Sequence, residues 1–296
     1  MIYDSLDAAV KGCFGETVAM EKTAYVGGGD INQASCLHLS NGTRVFVKAN
    51  TLANGSFFEA EEAGLRAIAA TRTIRTPALL CRGTDKKRGI SFLMMEMLPE
   101  RVRARDFWET FGHDLARMHD ADTSDFVRRG RFGFLQDNYI GATIQRNAER
   151  DTWIEFFRDC RLLPQFEMAA RYFDAPERRS IQRLLSRLNG LLTEPEKPSL
   201  LHGDLWSGNF ITGSDGQAWL IDPAAYVGHA EADLAMTELF GGFSAAFYAA
   251  YQELHPLEEG YEERRDLYNL YHLLNHLNLF GPAYLSAVTA TIRRYL

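Results

Sequence analysis

Leu201-His202-Gly203-Asp204-Leu205-Trp206-Ser207-Gly208-Asn209, followed by Ile221-Asp222-Pro223, is the stretch on which the reading of this chain turns. It sets an acid, a side-chain amide and a second acid at the ends of short apolar segments. Phosphoryl transfer from a metal-bound nucleotide needs those three groups. One carboxylate accepts the proton of the attacking hydroxyl, while an amide and a second carboxylate hold Mg2+ against the phosphates.

The residues between the two acids favour that chemistry. Phe210-Ile211-Thr212 and Ala218-Trp219-Leu220-Ile221 flank the turn Gly213-Ser214-Asp215-Gly216, a pattern that predicts a β-hairpin. A hairpin returns the chain to its start, which places Asn209 and Asp222 side by side. Pro223 has no N–H and marks the strand end. A lone Asp-x-Asn is ordinarily a solvated turn. Here His202, Asp204 and Asn209 carry the H-x-D-x-x-x-x-N spacing of kinase catalytic loops, and Asp222 stands where those loops are followed by a metal-binding acid.

Composition narrows the field. A chain of 296 residues with 46% apolar content can bury a large core in one domain or two lobes. A net charge of −7 disfavours nucleic acid and anionic membranes as partners. Four cysteines, Cys13, Cys36, Cys81 and Cys160, are widely spaced and form no C-x-x-C pair, which fits reduced thiols in a cytoplasmic protein. The start of the chain lacks the basic and apolar regions of a signal peptide, and no apolar run is long enough to span a membrane.

The organisation changes along the chain. Residues 33–40 read as extended, Asn41-Gly42 as a hairpin turn, and Arg44-Val45-Phe46-Val47-Lys48 as an alternating strand. A helix is expected over 57–70, with Phe58, Leu65 and Ile68 toward one side. The apolar run 91–97 precedes Leu98-Pro99, and a lobe boundary is placed there, with residues 1–97 as a nucleotide-binding lobe and 98–296 as a helical lobe. Helical spacing recurs over 107–118, 153–172, 176–192 and 261–280. The fold class expected is α+β, with a small antiparallel β-rich lobe and a larger helical one.

Gly27, Gly28 and Gly29 lie between expected strands, where they form either an ordinary turn or a loop whose backbone N–H groups can approach phosphate oxygens. Lys48, at the end of its strand, can neutralise the phosphates if it projects inward. Its acidic partner is Glu59, Glu61 or Glu62; periodicity does not choose among them. Met95, Glu96 and Met97 stand at the place of an interlobe hinge whose backbone can bond adenine, although methionines there also serve as core filler. Trp206, just after Asp204, can pack on the apolar face of a sugar. His272 and His276 stand at helical i, i+4 spacing beside an apolar stripe and read as core histidines, and His119 and His229 as surface or capping residues.

The chain resembles the fructosamine kinase (ketosamine-3-kinase) family, related in fold to protein kinases and aminoglycoside phosphotransferases. The resemblance runs through Gly27-Gly28-Gly29-Asp30-Ile31-Asn32, Phe46-Val47-Lys48-Ala49-Asn50, Asp137-Asn138-Tyr139-Ile140-Gly141 and Trp153-Ile154-Glu155-Phe156-Phe157. It includes Phe132-Gly133-Phe134, continues through Arg161-Leu162-Leu163-Pro164-Gln165 and the run from Leu201 to Asn209, and ends with Asp233-Leu234-Ala235-Met236-Thr237-Glu238-Leu239-Phe240-Gly241-Gly242-Phe243 and Leu270-Tyr271-His272-Leu273-Leu274-Asn275-His276-Leu277-Asn278-Leu279-Phe280-Gly281.

The resemblance implies ATP and Mg2+ as cofactors. Asp204 is implied as catalytic base, Asn209 and Asp222 as metal ligands, Lys48 as phosphate-binding lysine, Glu61 as its partner, and 95–97 as the hinge. It further implies that Glu231 faces the substrate amine and that Asp233 braces the catalytic loop. Asp30 replaces the cysteine that some eukaryotic members carry after the glycines, so thiol control there is not expected. The implied reaction is phosphorylation of the 3-hydroxyl of ketosamines, free or on glycated proteins, whose product decomposes to release the amine. Rival readings are a kinase of the same fold for an aminoglycoside, choline or homoserine, and a catalytically silent nucleotide-binding protein.

Overall fold

The computed structural model describes residues 1–27, 32–99 and 101–296. The first part is a six-stranded sheet: β1 (Ile2–Tyr3), β2 (Met20–Val26), β3 (Gln33–Leu39), β4 (Arg44–Thr51), β5 (Leu79–Asp85) and β6 (Ile90–Glu96), ordered β1-β5-β6-β4-β3-β2. Every pairing is antiparallel except that of β1 with β5. Helices α1 (Leu6–Phe14) and α2 (Gly55–Thr71) cover it.

Alternation along β4 assigns its side chains to opposite faces. Val45 and Val47 join Leu37, Phe92 and Met94 in a core closed by Leu6, Ala9 and Val10 of α1. Phe46 points the other way, into a core formed by Phe58 and Leu65 of α2 with Leu93 and Met95. Lys48 shares the Phe46 face, so the strand aims it under α2. The β3–β4 turn is the expected one: Gly42 sits at φ 81°, and Asn41 Oδ1 accepts the Thr43 N–H at 3.0 Å.

The rest is mainly helical. Its elements are α3 (Phe107–His119), β7 (Asn138–Ile140), β8 (Thr143–Gln145), α4 (Trp153–Phe156), α5 (Leu163–Met168), α6 (Ala175–Arg187), β9 (Ser199–Leu201), β10 (Phe210–Thr212), β11 (Ala218–Leu220), β12 (Tyr226–Gly228), α7 (Glu231–Leu239), α8 (Ala245–Leu254), α9 (Tyr261–Phe280) and α10 (Leu285–Arg294). The α3 and α8 backbones touch, since a Cβ on Gly112 would lie 2.3 Å from the Phe247 carbonyl oxygen. No helix among the described residues is long and apolar enough to cross a membrane.

Two helices differ from the sequence expectation. The helix expected over 153–172 is interrupted by a π-helical segment, Phe157–Leu162, between α4 and α5. Pro164 explains it: a proline has no N–H for the carbonyl four residues back and its ring crowds that oxygen. The freed Cys160 carbonyl instead accepts from Arg161 Nη1 at 3.0 Å. The first turn of α4 is capped from afar by Glu194, whose carboxylate accepts the N–H groups of Trp153 and Ile154 at 2.7 and 3.0 Å. The helix expected over 176–192 ends at Arg187 and tightens into a 3-10 turn, Leu188–Gly190.

Candidate active site

The loop carrying Asp204 leaves β9, which is held by antiparallel pairing with β12, Leu201 opposite Tyr226. Its first two N–H groups, on His202 and Gly203, donate to the two carboxylate oxygens of Asp233 at 2.6 and 2.8 Å. Gly203 is at φ 81°, and a Cβ there would lie 2.1 Å from the Ala224 carbonyl oxygen, so only glycine fits. His202 Nδ1 accepts the Asp204 N–H at 3.3 Å, and the opposite nitrogen, Nε2, donates to the Ile221 carbonyl at 2.8 Å. One buried imidazole thus fixes both acid-bearing segments, with its tautomer set by its partners. Burial lowers its pKa, so it stays neutral near pH 7.

Asn209 Nδ2 donates to the Asp204 carbonyl at 2.8 Å and to Asp204 Oδ2 at 3.1 Å, leaving its Oδ1 available to a cation. Phe210 anchors the start of β10 in an aromatic pile, 5.0 Å from Phe111 and 5.4 Å from Phe243 between centroids. The hairpin forms as the sequence predicts, with Ile211 opposite Trp219, and the Ile221 N–H donates to the Asn209 carbonyl at 3.0 Å. Asp222 therefore enters beside Asn209. It adopts the left-handed conformation at φ 55°, rare for a non-glycine residue and typical of a held functional position.

Lys48 closes the site from the sheet. Its ammonium lies 2.6 Å from Glu61 Oε1 and contacts the Asp222 carboxylate. Burial alone would lower the Lys48 pKa, but Glu61 and Asp222 reverse this and hold it protonated. The other two acids of α2 are committed elsewhere: Arg82 bonds Glu62 at 2.7 Å and Glu59 at 3.1 Å. That settles the choice periodicity leaves open. Asp204 is pushed up to about 7 by burial, partly offset by the Asn209 hydrogen bond and augmented by the charges of Asp222 and Asp233.

The remaining expectations divide. Trp206 is 39% exposed and lays its ring over Gly208, where a Cβ would lie 2.3 Å from the indole. Gly27 is exposed after β2; Gly28, Gly29 and Asp30 lie outside the described residues. At the expected hinge, the Met95 side chain is core filler against Phe58 and Leu65. Glu96 is turned to Ala78, donating its N–H at 2.8 Å and accepting at Oε2 at 3.1 Å. Met97 follows β6 and is half-buried.

Glu231 is corrected. It is 2% exposed, and both its oxygens are taken by Arg264, at 2.5 and 2.8 Å, so it does not face a substrate amine. His119 and His229 are also not at the surface. His119 is 1% exposed and lies 3.3 Å from Asp233 Oδ2 and 2.7 Å from the Tyr251 hydroxyl. His229 is buried near Glu231 and Glu258, their ligand atoms all within 4.8 Å. That trio does not suit a cation. Arg264 already neutralises Glu231, and His229 Nδ1 accepts the Glu231 N–H at 3.3 Å, which leaves the proton of the neutral ring on Nε2.

Residues 3–296 match the family described as Fructosamine kinase. The chain is 42% identical over 271 residues to a Synechocystis protein named as a probable ketoamine kinase, covering 91% of this chain and 88% of that one. It is 40% identical over 284 residues to a chloroplastic protein-ribulosamine 3-kinase of Arabidopsis thaliana, covering 95% and 85%. Its fold is similar to that of a Haemophilus somnus protein described as a fructosamine-3-kinase, with a TM-score of 0.87, 29% identity and 99% and 97% of the two chains covered. Sequence and architecture agree: this chain belongs to the fructosamine kinase family and has its two-lobed, protein-kinase-like fold.

Proposed function

We propose that the chain transfers the γ-phosphoryl group of ATP to the 3-hydroxyl of a ketosamine, on a free amine or a glycated protein, with residues 1–97 as the nucleotide lobe and 98–296 as the acceptor lobe. The carrying observation is the convergence of Lys48, from the sheet, with Asp222 beside the locked pair Asp204–Asn209.

The donor set suits a hard cation: the Asp222 carboxylate and Asn209 Oδ1, which has no hydrogen-bond partner among the described residues, are oxygen ligands of the kind Mg2+ takes. When bound, Mg2+ would neutralise phosphate charge. Lys48, kept protonated, binds phosphate oxygens, and Glu61 fixes its direction. Asp204 orients the acceptor hydroxyl and takes its proton as the new O–P bond forms and the bond to the ADP oxygen breaks. A carboxyl pushed up to about 7 is matched to that task near neutral pH. Trp206 offers an exposed indole for the apolar face of the sugar.

The test is ATP consumption across a panel of ketosamines (fructosamine, ribulosamine and erythrulosamine adducts), with an aminoglycoside, choline and homoserine as controls. Turnover on ketosamines is expected. Turnover on the controls alone would reject the acceptor class, and absence of turnover on every acceptor would reject the phosphotransferase reading.

A further inference from the structure

We propose that Tyr139, on the β7–β8 hairpin of the helical lobe, is a positioning residue that holds Glu61 against Lys48. The proposal rests on the role given above to the Lys48–Glu61 pair and extends it to a residue whose contacts are with the first turn of α2.

Glu61 rides on α2, and α2 is gripped by the helical lobe on both sides of that residue. In its first turn, Ser56 Oγ lies 2.8 Å from the Tyr139 hydroxyl, and the Phe57 ring lies 4.1 Å from the Tyr139 ring, tilted by 58°. Beyond Glu61, Gly64 rests on Pro223, where a Cβ would lie 3.0 Å from Cγ. The two grips are about 12 Å apart along the helix axis at the standard rise per residue, with Glu61 between them. A helix held at one point can pivot; held at two, it keeps its rotation and its height above the sheet.

The anchor of the grip leads back to the site. Asn138, beside Tyr139 and 2% exposed, donates from Nδ2 to the Ala225 carbonyl at 2.7 Å. Gln145, on the partner strand β8, donates from Nε2 to the Ala224 carbonyl at 2.8 Å and to Asn138 Oδ1 at 2.8 Å. The hairpin is therefore bolted to 224–225, the residues just after Asp222 and Pro223. The contacts close a ring: Lys48 to Glu61, along α2 to Tyr139, through Asn138 to Ala225, and along 222–225 to Asp222, which contacts Lys48. Tyr139 is the bond in this ring that spans the lobes at the open end of α2. Its ring contact outweighs its hydroxyl, because Ser56 is exposed and water replaces that hydrogen bond.

The experiment is a double-mutant cycle of wild type, Tyr139→Ala, Glu61→Gln and the double variant, with kcat and KM measured on a ketosamine and melting temperatures recorded. Tyr139→Ala is expected to lower kcat about tenfold in the wild-type background and less than about twofold once Glu61 is glutamine, with KM for the ketosamine unchanged. Tyr139→Phe, which keeps the ring, should stay within about twofold of wild type. Equal fractional losses in both backgrounds, or no loss from Tyr139→Ala, would overturn the proposal. If the alanine variant does not fold, Tyr139→Leu serves in its place, with the same two outcomes. The cycle is repeated on the affinity for Mg–AMP-PNP, which needs no acceptor. Non-additivity there supports the positioning role even if no ketosamine is phosphorylated, and additivity there overturns it.

Discussion

His202 Nε2 donates to the carbonyl oxygen of Ile221 at 2.8 Å, which ties the segment bearing Asp204 to the one bearing Asp222. The bond is part-buried. Replacing His202 by Leu leaves the Ile221 carbonyl and the Asp204 N–H without partners. We expect a stability loss of about 1–3 kcal/mol together with a fall in kcat. Urea denaturation and steady-state kinetics check it; unchanged kcat in a folded variant would show that the two segments need no tie.

Asp204 is the proton acceptor in the proposed reaction, so Asp204→Asn should lower turnover at least about a hundredfold while ATP binding is kept. Wild-type activity should also carry an acidic limb. A carboxyl raised to about 7 is protonated below that value and then cannot take a proton. The rate should therefore fall as pH drops through about 7, by about tenfold per unit at the low end, and level off above it. A rate flat from pH 5 to 8 would contradict the assignment.

Glu231 and Arg264 form a buried ion pair, and removing one partner strands the other charge. Glu231→Ala should cost about 3–5 kcal/mol in unfolding free energy. At a temperature where the variant stays folded, KM for a ketosamine should match wild type. A selective rise in that KM would restore the substrate-facing role that the geometry denies.

Trp206 is exposed enough that Trp206→Ala should change stability little. Its effect should fall on the acceptor: KM for the ketosamine rises about tenfold and KM for ATP stays put. Equal shifts in both constants would mean that the indole merely shapes the loop.

The parts of the site that were legible in sequence are those fixed by short-range rules. Asp204, Asn209 and Asp222 follow from one spacing and one hairpin, and Lys48 from the two-residue period of β4. What escaped depends on partners far away in the chain. Periodicity alone does not choose Glu61, which only the family resemblance implies; in the fold Arg82 claims Glu59 and Glu62 and leaves Glu61 to Lys48. Glu231 is withdrawn from the cleft by an arginine 33 residues later. His119 looks like a helix-end residue in sequence, yet it lies buried beneath Asp233, 114 residues away. The left-handed backbone of Asp222 has no sequence signature, since aspartate adopts many conformations. The π-helical segment was hidden because apolar spacing continues through it, although Pro164 was a visible warning.

The Glu194 cap has a consequence for synthesis. The α4 amides it satisfies belong to residues made about forty positions earlier, so a nascent chain that has emerged only as far as α6 must leave them to water. That turn can acquire its native partner only when residue 194 clears the ribosome, just ahead of the strand that delivers Asp204. The first turn of α4 thus takes its native cap only as the segment bearing the catalytic loop is being delivered.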